Sequence, residues 1–125
     1  MVLLGVERGD RQPDVDFIVR KICNLRLFPD PEAPSRSFDR SVKEVGGRVL
    51  IVSQFTLAAD CRKGRRPSFD AAAPPAEAQP LYDAVVRTLE AAGLTVATGV
   101  FQADMQVALV NDGPVTVVLN SRRDA

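Results

Sequence analysis

Arg48-Val49-Leu50-Ile51-Val52-Ser53-Gln54-Phe55 is the best strand in the chain. It is uninterrupted and β-branched through its middle, the pattern of a central strand covered on both faces. Working upstream, Gly46-Gly47 reads as a turn and residues 37–41 as a short strand. Met1-Val2-Leu3-Leu4-Gly5-Val6 is a second apolar run and reads as a buried strand. Between these strands, Val15, Ile18, Val19, Ile22 and Leu25 recur at helical spacing, which predicts an amphipathic helix over 14–27. Pro13 suits its first turn, and Arg20, Lys21 and Arg26 lie towards the end where the helix dipole favours cations. Pro29, Pro31 and Pro34 then enforce a loop.

Working downstream, residues 56–59 end the central strand and 60–69 form a basic loop. A second helix is predicted over 76–92, with Leu81, Val85, Leu89 and Ala92 as its buried stripe and Gly93 as its C-terminal cap. Residues 95–100, 105–110 and 115–119 read as strands, 101–104 as a connection, and 121–125 as a frayed tail. This order lacks the strict alternation of a doubly wound fold. The expectation is a mixed α/β domain spanning 1–125: a mostly antiparallel sheet or partial β-barrel with two covering helices.

The 125 residues fit one domain with a real core, and zero formal net charge provides no global attraction to nucleic acid or membrane. Cys23 and Cys61 have no metal-ligand spacing and read as free thiols of a reducing compartment. Without a membrane-length apolar run or a signal-peptide pattern, the expected location is the cytoplasm. There is no histidine. That removes Ser-His-Asp and Cys-His hydrolases and His-ligated zinc, and leaves carboxylates, hydroxyls, backbone amides or substrate groups for any chemistry. Glycine-rich nucleotide loops, HExxH and CxxC pairs are absent, so no metal or cofactor is expected.

Ser53-Gln54-Phe55-Thr56 leaves the end of the central strand with two hydroxyls and an amide. Either hydroxyl is a candidate nucleophile without a neighbouring base; by composition alone both read as satisfying the backbone where the strand turns. Arg62, Lys63, Arg65 and Arg66 surround Gly64, a donor-rich loop suited to phosphate, although an isolated charge run is also what a solvated surface looks like. Phe55, Phe101 and Met105 could stack on a base or belong to the core. Asn111-Asp112-Gly113-Pro114-Val115-Thr116 separates two strand-like runs. Asp-Gly there suggests a hairpin, but Pro114 cannot donate to a ladder and pushes Gly113 towards extended backbone. Two readings follow: a turn containing a proline, or a rigid backbone wedge presented to something.

Together these stretches resemble the D-aminoacyl-tRNA deacylase family. Ser53-Gln54-Phe55-Thr56-Leu57 is similar to one family signature and Asn111-Asp112-Gly113-Pro114-Val115-Thr116 to the other. Val2-Leu3-Leu4-Gly5-Val6, Arg62-Lys63-Gly64, Arg66-Pro67-Ser68-Phe69 and Ala103-Asp104-Met105 also match, so the resemblance covers essentially the whole chain. It implies hydrolysis of the ester joining a D-amino acid, or misloaded glycine, to the 3′-terminal adenosine of tRNA, with tRNA and not DNA or membrane as partner. It also implies a homodimer in which Gly113-Pro114, with a cis bond, enters the partner's site and rejects L-amino acids. Ser53, Gln54, Phe55 and Thr56 would line the reacting carbonyl. Arg62, Lys63 and Arg66 would hold acceptor-stem phosphates, and Phe101 or Met105 would contact the terminal adenine. Two departures stand out. Family members carry a hairpin's worth of chain ahead of the strand that begins here at Met1, and Gln102 stands where glycine is common. Two other readings stay open: a deacylase with a trans Gly-Pro bond that removes L-alanine, and a non-catalytic RNA-end-binding or dimerisation module.

Overall fold

The computed structural model describes residues 1–125. Strand β1 (Val2–Leu4) leads through a polar turn to helix α1 (Gln12–Asn24). Strands β2 (Arg26–Phe28) and β3 (Arg40–Ser41) form a small antiparallel pair. Strand β4 (Arg48–Ser53) follows, then a 3₁₀ turn (Phe55–Ala58), helix α2 (Pro75–Ala91), strand β5 (Thr95–Thr98) and a final helical turn, α3 (Ser121–Asp124). The main sheet has the order β1-β4-β5, and both pairings are parallel: Val2 stands opposite Ile51, and Arg48 opposite Thr95.

This corrects the expected mostly antiparallel sheet or partial barrel. The sheet is three-stranded, parallel and open, with only the β2–β3 pair antiparallel. The cause is connectivity: a helix lies between β1 and β4 and another between β4 and β5, and a crossover returns the chain parallel to where it started. The strands expected to supply antiparallel partners, 105–110 and 115–119, pair with nothing in the chain. They run as an exposed arm, with Val107, Leu109, Val110, Val117 and Val118 in solvent. An apolar run becomes a strand only when a neighbouring backbone completes its hydrogen bonds, and none lies beside these.

The core forms on one face of the sheet. Leu4, Val49 and Ile51 meet Val15, Val19 and Cys23 of α1 and Tyr82, Val85 and Leu89 of α2. Helix α1 starts where the Asp14 carboxylate accepts the Arg11 N–H at 2.8 Å and stops at Asn24, three residues before the predicted end. Its chain turns extended at Leu25 to supply β2. Helix α2 ends as predicted at Gly93, whose φ of +92° only glycine adopts without penalty. There the Gly93 N–H reaches Glu90 and the Leu94 N–H reaches Leu89, closing the last carbonyls. No helix is long and apolar enough to cross a membrane.

One polar contact joins helix to sheet inside the core. The buried Tyr82 hydroxyl donates to the Ile51 carbonyl at 2.9 Å. Burial, with the Asp83 charge adding to it, pushes the Tyr82 phenol above its ordinary range, so it stays a donor. The Ile51 carbonyl also accepts the Gly99 N–H at 3.3 Å. Tyr82→Phe therefore leaves that carbonyl partnered and costs about 1 kcal/mol. The check is urea unfolding: a lowered midpoint with an unchanged slope is expected.

Candidate active site

The sheet positions the site at the C-terminal end of its central strand. Beyond Ser53, the Gln54 N–H donates to the Leu4 carbonyl at 2.8 Å, so β1 fixes where β4 stops. The chain then tightens into the Phe55–Ala58 turn. Gly5 makes this possible: a Cβ there would lie 3.1 Å from both the Gln54 carbonyl oxygen and the Leu57 Cβ. Ser53 and Gln54 are half-buried, while Phe55 and Thr56 are exposed. The Gln54 side-chain amide donates to the Thr56 hydroxyl. The N–H groups of Phe55 and Thr56 donate to no other group in the chain, as the first amides of a helical turn do. Ser53, Gln54, Phe55 and Thr56 thus form one continuous strand end, half-buried at its first two residues and exposed at its last two, carrying hydroxyls and two free amide donors.

The basic loop is clamped beside this edge. Asp60 and Ser68 exchange backbone hydrogen bonds at 2.8 and 2.9 Å, and residues 61–67 project between them. Phe69 returns to meet the Phe55 ring edge-on, with centroids 5.2 Å apart. Arg62 is not a free cation. Its guanidinium forks onto Asp60 at 2.6 and 2.9 Å and holds that carboxyl down at about 2. The pair is intact above the ordinary carboxylate range of about 4 and is lost only as pH falls through about 2. Both groups are exposed, so the pair orders the loop more than it stabilises the fold. Lys63, Arg65 and Arg66 are exposed and make no ion pair.

Phe101 and Met105 both border Gly99. Phe101 is half-buried against Tyr82, centroids 5.9 Å apart, in a 420 Å³ surface cleft between α2 and the end of β5. Met105 lies over Gly99 so closely that a Cβ there would sit 2.6 Å from its sulfur and 3.7 Å from Val52. Gly99 was not singled out from sequence; its signal was its place at the end of a strand. Gln102 has φ +63°, a left-handed backbone that explains why glycine suits that position.

Gly113 and Pro114 stand apart from Ser53–Thr56 within the chain, out on the arm. The Gly113–Pro114 bond is cis and Gly113 has φ +137°. Asn111 holds the loop: its Oδ1 accepts the Val115 N–H at 3.0 Å and its Nδ2 donates to the Thr116 hydroxyl at 2.9 Å. That explains the asparagine and threonine at the two ends of this stretch.

Gly5→Ala tests the seating of the strand end. The added methyl displaces the Gln54–Leu57 turn and costs about 1–3 kcal/mol. The expected result is a lowered denaturation midpoint with shifted amide resonances for Phe55 and Thr56.

Comparison with known proteins places these features. The family pattern described as D-Tyr-tRNA(Tyr) deacylase matches residues 1–120. A D-aminoacyl-tRNA deacylase of Desulfitobacterium hafniense is 55% identical over 124 residues, covering 99% of this chain and 81% of that protein. One of Geobacter sulfurreducens is 52% identical over 122 residues, covering 98% and 78%. Among solved structures, the c-Myc DNA Unwinding Element Binding Protein superposes with a TM-score of 0.86 at 38% identity, covering 94% of this chain and 78% of that one. A probable eukaryotic D-amino acid tRNA deacylase, at 18% identity and a TM-score of 0.67 over 81% of this chain and 72% of its own, shares the fold. With its central strand, its Ser53–Leu57 turn and its Asn111–Thr116 loop all inside the matched span, the chain belongs to the D-Tyr-tRNA(Tyr) deacylase family.

Proposed function

We infer that this protein is a D-aminoacyl-tRNA deacylase, a hydrolase that cleaves the ester between a D-amino acid and the terminal ribose of tRNA. The family match over residues 1–120 carries this reading. In it, water attacks the carbonyl carbon, the ester C–O bond breaks, and the ribose oxygen leaves with a proton. The free N–H groups of Phe55 and Thr56 support a role in holding the developing oxyanion, where one donor is worth roughly 3–4 kcal/mol. Thr56 is a positioning group. The side chain bonded to its hydroxyl is the Gln54 amide, which is no base. With no histidine in the chain, the substrate's own 2′-hydroxyl is the assisting group. An acyl-Thr56 adduct trapped from the parent protein would overturn that assignment.

The Gly113-Pro114 loop serves as the filter against L-amino acids, acting in the site of a second copy within a homodimer. Support comes from its exposure on an apolar arm that has no partner within the chain, and from the family resemblance of both motifs. Lys63 and Arg66 approach the acceptor-stem phosphates, Arg62 shapes the loop through Asp60, and Phe101 or Met105 receives the terminal adenine. The cytoplasm, where charged tRNA is used, is the proposed location.

The decisive experiment is a deacylation time course on matched D- and L-tyrosyl-tRNA. Release from the D-ester alone is expected; release from neither would overturn the reading. Gly113→Ala puts a Cβ 3.0 Å from Val115 Cγ2 in an exposed loop. It should lower the D/L ratio roughly tenfold, within the range a small misplacement costs, with at most a small drop in thermal midpoint because the strain at φ +137° stays in an exposed loop. Asp60→Asn releases Arg62, so tRNA binding should tighten and its log–log salt slope steepen by about one unit. An unchanged slope would return the loop to plain solvated surface.

A further inference from the structure

The C-terminal residues, expected to fray, form instead a built anchor. Asn120 accepts the N–H groups of Arg122 and Arg123 at 2.9 and 3.2 Å, and Asp124 accepts the Asn120 N–H at 2.7 Å. This one-turn cap presents Arg122 to the turn after β1. There the guanidinium bonds Asp10 Oδ1 at 2.8 Å and the Arg8 carbonyl, and lies 3.4 Å from the Glu7 carboxylate. Gly9 stands beside it in left-handed backbone at φ +85°, a conformation glycine adopts without strain.

The same turn is tied to the site. The Arg8 N–H donates to the Ala71 carbonyl at 2.9 Å and its Nε to the Asp70 carbonyl at 2.8 Å. These residues directly follow Phe69, whose ring meets Phe55. The arm carrying Gly113-Pro114 therefore has two fixed ends: Met105, whose sulfur packs against Gly99, and Arg122, forked into the acidic turn. Between Met105 and the Asn120 cap, the side-chain hydrogen bonds are the Asn111 staple and a 3.4 Å contact from Arg123 to the Val118 carbonyl.

We propose that Arg122 is a positioning residue for the Gly113-Pro114 loop: its fork on Glu7, Arg8 and Asp10 sets where the arm stands, and so how well the enzyme separates D- from L-esters. This rests on the filter role given above. Lysine preserves the charge but not the fork, so Arg122→Lys should recover part of what Arg122→Ala loses.

The test has two readouts. Deacylation of D- and L-tyrosyl-tRNA by Arg122→Ala should show the D/L ratio of kcat/KM falling about tenfold, with the thermal midpoint within about 3 °C of the parent and partial recovery in Arg122→Lys. In ¹⁵N-labelled protein, the amide resonances of Gly113 and Val115 should move in Arg122→Ala, and move less in Arg122→Lys. A D/L ratio at the parental value overturns the proposal, whether or not the resonances move; so does a fall in ratio matched by a general loss of stability. If the parent releases neither ester, the functional reading fails by itself. The resonances then decide the anchor: movement upholds Arg122 as the residue that sets the arm, and none overturns it.

Discussion

The shape of the Ser53–Thr56 strand end depends on how closely two neighbouring segments approach it. At Gly5 a side chain would strike the turn that follows β4, and at Gly99 it would strike Met105. Glycine on both sides leaves the end of β4 open, so the Ser53–Thr56 edge can turn outward and the arm can start from a seated methionine. A methyl at Gly5 would meet backbone at 3.1 Å and one at Gly99 would push the Met105 side chain aside. The carboxyl ends of parallel strands are where open α/β sheets build sites, and here the two glycines hold that end open.

The buried layer and the exposed site work on different terms. Beneath the sheet, Ile51 and Leu89 are fully enclosed, and Tyr82 adds one directional bond to an otherwise apolar contact. At the site, order comes from short-range polar staples: Gln54 on Thr56, Asp60 on Arg62, Asn111 on its own loop, and Arg122 on the turn after β1. Each joins groups that water also solvates, so each fixes geometry while adding little to global stability. Such a division lets the site be altered without unfolding the protein.

The central strand, both long helices and the glycine cap at Gly93 were legible because each follows from local periodicity or local backbone preference. The topology was not. Nothing in the pattern of Val2–Leu4 or Thr95–Thr98 distinguishes a parallel from an antiparallel neighbour, and the three strands were misjudged together. Residues 105–110 and 115–119 misled for a related reason. β propensity describes a surface ready to pair, and these segments have that surface without a partner in the chain. The buried stripes were also only partly right. Phe17 and Tyr82 are buried where Leu25 and Leu81 were expected: Tyr82 faces the core, and Phe17 lies under Arg20 and Lys21 of its own helix. The motif residues were visible by resemblance. Arg62's pairing with Asp60 and Arg122's anchor were not, since a charge two residues or a hundred residues away carries no sequence signal of contact.

The parallel register also shapes the route to the folded state. Val2 finds Ile51 and Arg48 finds Thr95, each about 50 residues away along the chain. Loop closure over such distances costs entropy before any strand pairing returns it, and non-local pairing slows folding relative to local helix formation. Helices α1 and α2 and the short β2–β3 pair can form from near neighbours; the main sheet waits for two long closures. The Ser53–Thr56 edge needs both β1 and β4 in register, and the seat for Met105 needs β4 and β5. The edge proposed as the active site therefore depends on strands that meet across a long stretch of chain, and helices formed without that pairing would not build it.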